Sequence, residues 1–258
     1  TEIYTLSLHD ALPILSLVAN YKINDLSDDH IVPEYTRILT QNLQPNAIIL
    51  SSQWDFWCSC FWYKQKVEHY RTDITLIEKE LLRRTWYLNQ LLKWYPQTIS
   101  QCKFAMDEFL IDLEKFESGK KYSNLIQNRF INMLNCFIDA NYGNRPIYLT
   151  LDVIQQEPDV APNYQKIPEG FAFRLEKEGT PFAVSVENMD ITKLIFSINS
   201  NNGHLVDGIR DLVSLNFSLI GNYAVAINQV ETAKQAYKKS LIVNPKNSES
   251  MRALELLK

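Results

Sequence analysis

Along most of the chain the apolar and polar positions switch between helical and strand periodicity. Ile31, Tyr35, Ile38, Leu39 and Leu43 recur at three- to four-residue steps and predict one face of a helix over residues 28–43. Asp28 or Asp29 is available to cap it, and Pro33 is tolerable only in the first turn. The run PNAIILSS predicts a short buried strand after a Pro-Asn turn, WDFWCSCFWYKQKVEHY a helix opened by Asp55, and TDITLIE a second buried strand. TWYLNQLLKWYP reads as a helix with Thr85 as its cap and Pro96 as its stop. Two longer helices follow, one carrying Phe104, Phe109, Leu110, Leu113 and Phe116 and ending near Gly119. The other carries Leu125, Ile126, Phe130, Met133, Leu134, Phe137 and Ile138 and ends near Gly143. RPIYLTLDVI predicts a third strand, and GFAFRLE and TPFAVSVE alternate as strands with one wetter face do. The span from Glu157 to Pro168, with Pro158 and Pro162 inside it, reads as a loop. From about Asp190 the pattern is helical to the end.

Strands separated by helices imply right-handed crossovers and parallel pairing. The expected fold class is α/β: three layers, a mainly parallel sheet with flanking helices, then a C-terminal α-helical hairpin. The expected division is an α/β domain over residues 15–189 and a helical region over 190–258. In that region Phe217, Ile220, Gly221, Ala233, Tyr237 and Pro245 stand at the spacing of a tetratricopeptide unit, two antiparallel helices in about 34 residues. Gly221 and Ala233 would let the helices approach, Phe217 and Tyr237 would fill the gap, and Pro245 would follow the second helix. Ser240 and Ala224 depart from the usual pattern, and an ordinary helical hairpin is the alternative. One unit cannot bury its own face, so it must dock on the α/β body or on preceding helices.

Residues 1–14, TEIYTLSLHDALPI, can be read back into codons as the universal adapter ligated to DNA fragments in short-read sequencing. They are therefore expected to be foreign to the fold, with the remainder the tail of a longer protein. The remaining residues suffice for one large domain or two small ones. Hydrophobic residues at 46% and aromatics at 12% exclude a disordered chain. A net charge of −4 without a basic stripe argues against a nucleic-acid partner. No run approaches the roughly 18–20 apolar residues that span a bilayer. Cys58, Cys60, Cys102 and Cys136 lack zinc-site spacing and are expected to be free or buried thiols. No glycine motif of a nucleotide site occurs, so neither a metal nor any other cofactor is expected.

The informative stretch is SSQWDFWCSCFWYKQKVEHYRTDITLIEKELLRRTWYLNQL. Six rings, Trp54, Phe56, Trp57, Phe61, Trp62 and Tyr63, crowd into ten residues and cannot all face inward on one helix. Core burial with one or two exposed rings is the first expectation, an outward contact surface for membrane, lipid headgroup or sugar the second. Asp55, at a strand end, is either a helix cap or a carboxylate at the ligand-binding edge of a parallel sheet. Arg71 and Asp73 lie two apart and can pair on one strand face. Glu78 and Glu80 would point to opposite faces, and His30, His69 and His204 are scattered, so no catalytic set is visible.

This stretch resembles the soluble C-terminal region of a bacterial membrane family related to protein O-mannosyltransferases, of the multi-spanning type-C glycosyltransferase class. The resemblance rests on Trp54 and Asp55, Trp62 and Tyr63, Arg71 and Asp73, Glu80 with Leu81 and Leu82, and Trp86 with Tyr87. NRPIYLTL and IPEGFAFRLE resemble two later family segments, and a terminal tetratricopeptide unit is usual there. Many relatives carry Asn-Gly-Asp-Asn-Asp where this chain has Ser-Ser-Gln-Trp-Asp. The resemblance implies that the catalytic acid lies in an early loop of a membrane part outside this chain, so the chain alone should be inert. It implies a location on the extracytoplasmic (periplasmic) face of the inner membrane. The implied partners are an N-terminal transmembrane domain of the same protein and an acceptor protein or peptide. A freestanding tetratricopeptide-containing interaction module is the alternative. A small α/β hydrolase or nucleotide enzyme fits poorly, since loop motif and nucleophile are both missing.

Overall fold

In the computed structural model, which describes residues 8–27, 29–177, 179 and 182–257, the three predicted apolar runs lie side by side. They form β1 (Ile48–Ser51), β2 (Thr75–Glu78) and β3 (Ile147–Leu149). β1 is central and parallel to both others, with Ile48 opposite Thr75 on one side and Ile147 on the other. Between them run α2 (Ile31–Gln41), α3 (Ser59–Val67), α4 (Thr85–Trp94), the short α5 (Pro96–Ile99), α6 (Lys103–Glu117) and α7 (Ile126–Asn141). Gly119 and Gly143, both at positive φ, follow α6 and α7 where predicted. Of the two candidate caps of α2, Asp28 lies outside the described residues; Asp29 Oδ1 accepts from the N–H of Ile31.

The sheet is mixed, not mainly parallel. β5 (Ala172–Glu176) joins β3 antiparallel, and β4 (Gln165–Glu169) forms a hairpin with β5, giving the order β2-β1-β3-β5-β4. The two-residue link Gly170-Phe171 can join only antiparallel neighbours, and Gly170 takes the left-handed backbone the turn requires. The predicted loop over 157–168 therefore ends in a strand. Pro168 is accommodated because β4 is an edge strand. The third predicted strand is shorter than RPIYLTLDVI, because α8 (Leu151–Gln156) begins directly after β3. TPFAVSVE is not a strand: Thr180 and Pro181 lie outside the described residues, and residues 182–186 pair with none of the strands. Val184 and Val186 are buried, and the Val184 N–H donates to Gln229 Oε1. Alternation there reports one buried face rather than a ladder.

A buried cluster covers each face of the sheet. Ile49, Leu76 and Tyr148 point to one, with α2, α3 and the C-terminal helices; Ile48, Leu50, Ile77 and Leu149 point to the other, with α4, α6 and α7. Cys102 and Cys136 form a disulfide that ties the start of α6 to α7, which corrects the expectation of four thiols; Cys58 and Cys60 are free. The pairing follows from the packing of α7 against α6, a contact that no local pattern reports.

The C-terminal part comprises α9 (Thr192–Ser200), α10 (His204–Ala226), α11 (Val230–Val243) and α12 (Ser248–Leu256). Gly221 lies beside Tyr237 and Ser214 beside Ser240, the register of an antiparallel pair. Phe217 meets Phe171 edge-on at 5.6 Å and joins these helices to the sheet. Ile220 and Ala233 are buried, and Pro245 is exposed just beyond α11. Ser240, the departure noted above, sits among Ser214, Ser218, Ser250 and the Asn247 amide, all within hydrogen-bond distance of its hydroxyl. In α1 (Leu8–Asn24) residues 12–22 are exposed throughout, and residues 1–7 of the adapter-like stretch lie outside the described residues.

Candidate functional site

The strand order places a topological switch point between β1 and β3, where open α/β sheets bind ligands beyond the C-terminal strand ends. Here the crevice is closed by the protein's own groups. Asp152, at the start of α8, accepts from the Ser52 N–H at 2.8 Å, from the Ser52 hydroxyl at 2.5 Å and from Gln53 Nε2 at 2.7 Å. Tyr35 Oη in turn donates to Gln53 Oε1 at 3.0 Å. Asp55 is not the helix cap that was one of its two expected roles. A π-helical turn over Trp54–Cys58 opens the segment, Gln53 occupies the cap position without a side-chain cap bond, and Asp55 is exposed.

Beside this closed turn, β2 ends in a buried charged group. Lys79 is 1% exposed; its ammonium donates to Gln156 Oε1 at 2.8 Å and to Glu157 Oε1 at 3.2 Å, and pairs with Glu80. Glu157 also takes Arg83 at 2.8 Å and Gln127 at 2.9 Å. Burial raises the Glu78 carboxyl above the usual carboxylate range, and its backbone N–H donates to Tyr87 Oη at 3.0 Å. Burial likewise pushes the Cys58 thiol well up, which leaves it a poor nucleophile. Every ion in this group has a partner inside the protein. The arrangement can brace loops; it presents no nucleophile held by a base.

Arg71 and Asp73 do pair, at the opposite, N-terminal edge of the sheet, but from the turn that precedes β2 rather than on one strand face. The Arg71 guanidinium holds Asp73 at 3.0 Å and the carbonyls of Thr40, Leu43 and Gln44 at 2.7–3.1 Å. Asp73 accepts from the Asn46 N–H at 2.9 Å, and the Arg71 contact keeps its carboxyl below the usual range. The pair clamps the loops entering β1 and β2.

The aromatic residues divide as the first expectation had it. Trp57 and Phe61 are fully buried and stacked, Phe56 and Trp62 are half-buried, and Trp54 and Tyr63 are exposed. Tyr87 is buried while its neighbour Trp86 is exposed. The candidate residues thus fall into a sheet-edge brace (Glu80, Tyr87), a clamp (Arg71, Asp73) and a surface (Trp54, Trp62, Tyr63, Trp86), with Asp55 alone in solvent.

With this geometry in view, one similarity stands out. A family model described as TMEM260-associated domain 2 matches residues 34–109. TMEM260 is a protein O-mannosyltransferase. The chain is similar to that domain from α2 to the middle of α6, which takes in β1, β2, the clamp, Lys79 and all the aromatic candidates. Asp152, Glu157 and the C-terminal helices lie outside it. No curated protein and no solved structure matches the chain. No helix among the described residues is long and apolar enough to cross a membrane.

The sequence reading missed Gln53, Lys79, Asp152 and Glu157. Asp152 lies three residues past Leu149, inside the run LDVI, whose apolar residues predict a continued strand and so conceal the start of α8.

Proposed function

We propose that this chain is a non-catalytic extracytoplasmic domain of a membrane-embedded, glycosyltransferase-like protein related to protein O-mannosyltransferases. In that reading it positions an acceptor protein or braces the transmembrane part of the same protein. The match to TMEM260-associated domain 2 over residues 34–109 carries the reading. Two features support it. The ions at the strand ends are all partnered within the protein, as suits a brace, and the Cys102–Cys136 disulfide suits an oxidising compartment such as the periplasm. Purified, the chain should transfer no mannose from a lipid-linked donor to peptide, assayed with radiolabelled donor. Turnover that survives removal of trace membrane enzyme would overturn the non-catalytic part of the reading. An intact copy of the gene should encode several long apolar spans upstream of residue 15; a start codon there would favour the freestanding interaction module instead.

Residues 190–258 are read as a helical region with a tetratricopeptide-like unit, docked on an α/β unit of residues 15–189. The fit at Gly221 supports this: a Cβ there would stand 2.5 Å from Cε1 of Tyr237, whose ring is buried and whose hydroxyl donates to Asn222. Ala233→Leu should cost about 1–3 kcal/mol by overpacking, seen as faster amide exchange across α10 and α11. Lys234→Leu, one residue on and half-buried beside Glu231, should hardly change exchange. Lys238 is exposed, whereas Lys239 is half-buried and donates to the Met189 carbonyl at 2.7 Å. Equal effects at 233 and 234 would remove the repeat assignment.

A further inference from the structure

All five tryptophans of the chain fall between residues 54 and 94. Three of them, Trp54, Trp62 and Trp94, converge around α3 and α4, and Trp86 stands on α4 next to the buried Tyr87. The Trp62 ring meets Trp54 at 5.6 Å, Trp94 at 6.4 Å and Tyr87 at 6.2 Å, and Tyr87 meets Trp86 at 5.7 Å. Three of the four stay largely in solvent: Trp54 is 45%, Trp86 52% and Trp94 41% exposed. Tryptophan is usually well buried, so three half-exposed indoles carried by α4 and the start of the α3 segment call for a partner. The neighbouring exposed stripe of α3 continues it with Tyr63, Lys66 and Val67, and Lys93 lies beside Trp94 on α4.

Charge decides what that partner is. The chain as a whole carries −4, yet residues 54–94 hold seven basic against five acidic side chains. Of the exposed carboxylates here, Glu68 pairs with Lys64 and Glu80 with Lys79 and Arg83, which leaves Asp55, beside Trp54, as the one without an ion-pair partner among the described residues. Lys66, Arg84 and Lys93 have no ion-pair partner among the described residues. A stacked sugar needs an open aromatic face. Here the Lys66 ammonium already lies 4.4 Å from the Trp94 ring centre, and the surplus groups are donors. Indoles beside unpaired lysine and arginine fit the headgroup layer of an anionic bilayer, where the rings sit at the polar–apolar boundary and the cations meet phosphate.

We propose that the α3–α4 face, through Trp54, Trp86, Trp94, Lys66, Arg84 and Lys93, seats on an anionic phospholipid surface. The inference goes beyond the proposed function and does not rest on it, since a freestanding module could dock the same way. The test uses the full chain and vesicles of phosphatidylglycerol and phosphatidylcholine, or of phosphatidylcholine alone. With the anionic vesicles we expect co-sedimentation, a blue shift of tryptophan emission, and quenching by lipids brominated near the top of the acyl chain. Lys66→Gln with Lys93→Gln, which leaves every ring in place, should weaken partitioning roughly 30-fold, from about 1 kcal/mol per cation. Trp86→Ser should abolish much of the quenching, while Ile242→Ser, an exposed apolar residue on α11, should change nothing. Circular dichroism of each variant checks that it is folded. Absence of binding to anionic vesicles overturns the proposal. So does equal binding by the double lysine variant, or saturable quenching by a free mannoside in place of lipid.

Discussion

Removing the Cys102–Cys136 disulfide should lower the thermal midpoint by about 10 °C. The bridge joins residues 34 apart in sequence. Closing a loop of that size in the unfolded chain corresponds to about 4 kcal/mol in the chain-entropy account. In a domain of this length each kcal/mol moves the midpoint by about 2–4 °C. Cys102 is buried and Cys136 half-buried, both between α6 and α7, so alanine at both positions should leave the packing nearly intact. The measurement is a calorimetric scan of the wild type with and without reductant, beside the double alanine variant. Reductant should move the wild type to the variant's midpoint and leave the variant unchanged. Thiol titration of the unfolded, unreduced protein should find only Cys58 and Cys60. Four reactive thiols, or midpoints indifferent to reductant, would mean the pair is not bridged, and the support it lends to an oxidising compartment would go with it.

What was legible in the sequence was what local pattern determines. β1, β2 and β3 are short runs rich in Ile and Leu, buried on both faces as parallel strands are, and separated by helices long enough for crossovers. Their common sheet and parallel pairing followed from that. β5 was legible in the alternation of GFAFRLE, but its partner β4 was hidden because Pro162 and Pro168 read as loop, and a proline on an edge strand looks the same as one in a turn until the edge is known. The disulfide and the hydroxyl cluster around Ser240 are tertiary facts with no local signature. At the strand ends the sequence pointed to the edge that holds Asp152, but Asp55 does not take the cap position offered to it. The π-helical turn over Trp54–Cys58 inserts one residue per turn relative to an α-helix, so the register that would have made Asp55 a cap does not apply. For the same reason helical spacing could say that some of the six rings must face outward but not which ones.

Lys79→Met should destabilise the protein by about 3–4 kcal/mol, whereas Glu80→Gln should cost less than about 1 kcal/mol, although both belong to one ion group. Lys79 is 1% exposed and Glu157 nearly as buried, and the two lie 3.2 Å apart. Breaking a buried pair from one side leaves the other charge desolvated without its full complement, and that penalty dominates. Arg83 and Gln127 still reach Glu157, which keeps the cost toward the lower end of the range for such changes. Glu80 is half in water at 51% exposure, so solvent replaces what its side chain supplies. Methionine matches the volume of lysine, so the comparison isolates charge from packing. Urea midpoints of the two single variants give the comparison, and Lys79→Met with Glu157→Gln completes a cycle. In the double variant the buried charge of Glu157 is gone together with its partner, so its loss should be well below the sum of the single losses. Strict additivity, or a cost at Glu80 equal to that at Lys79, would mean that the group is an exposed ion cluster rather than a buried brace. The family-motif position Glu80 would then have to be explained by something other than its pairing with Lys79 and Arg83.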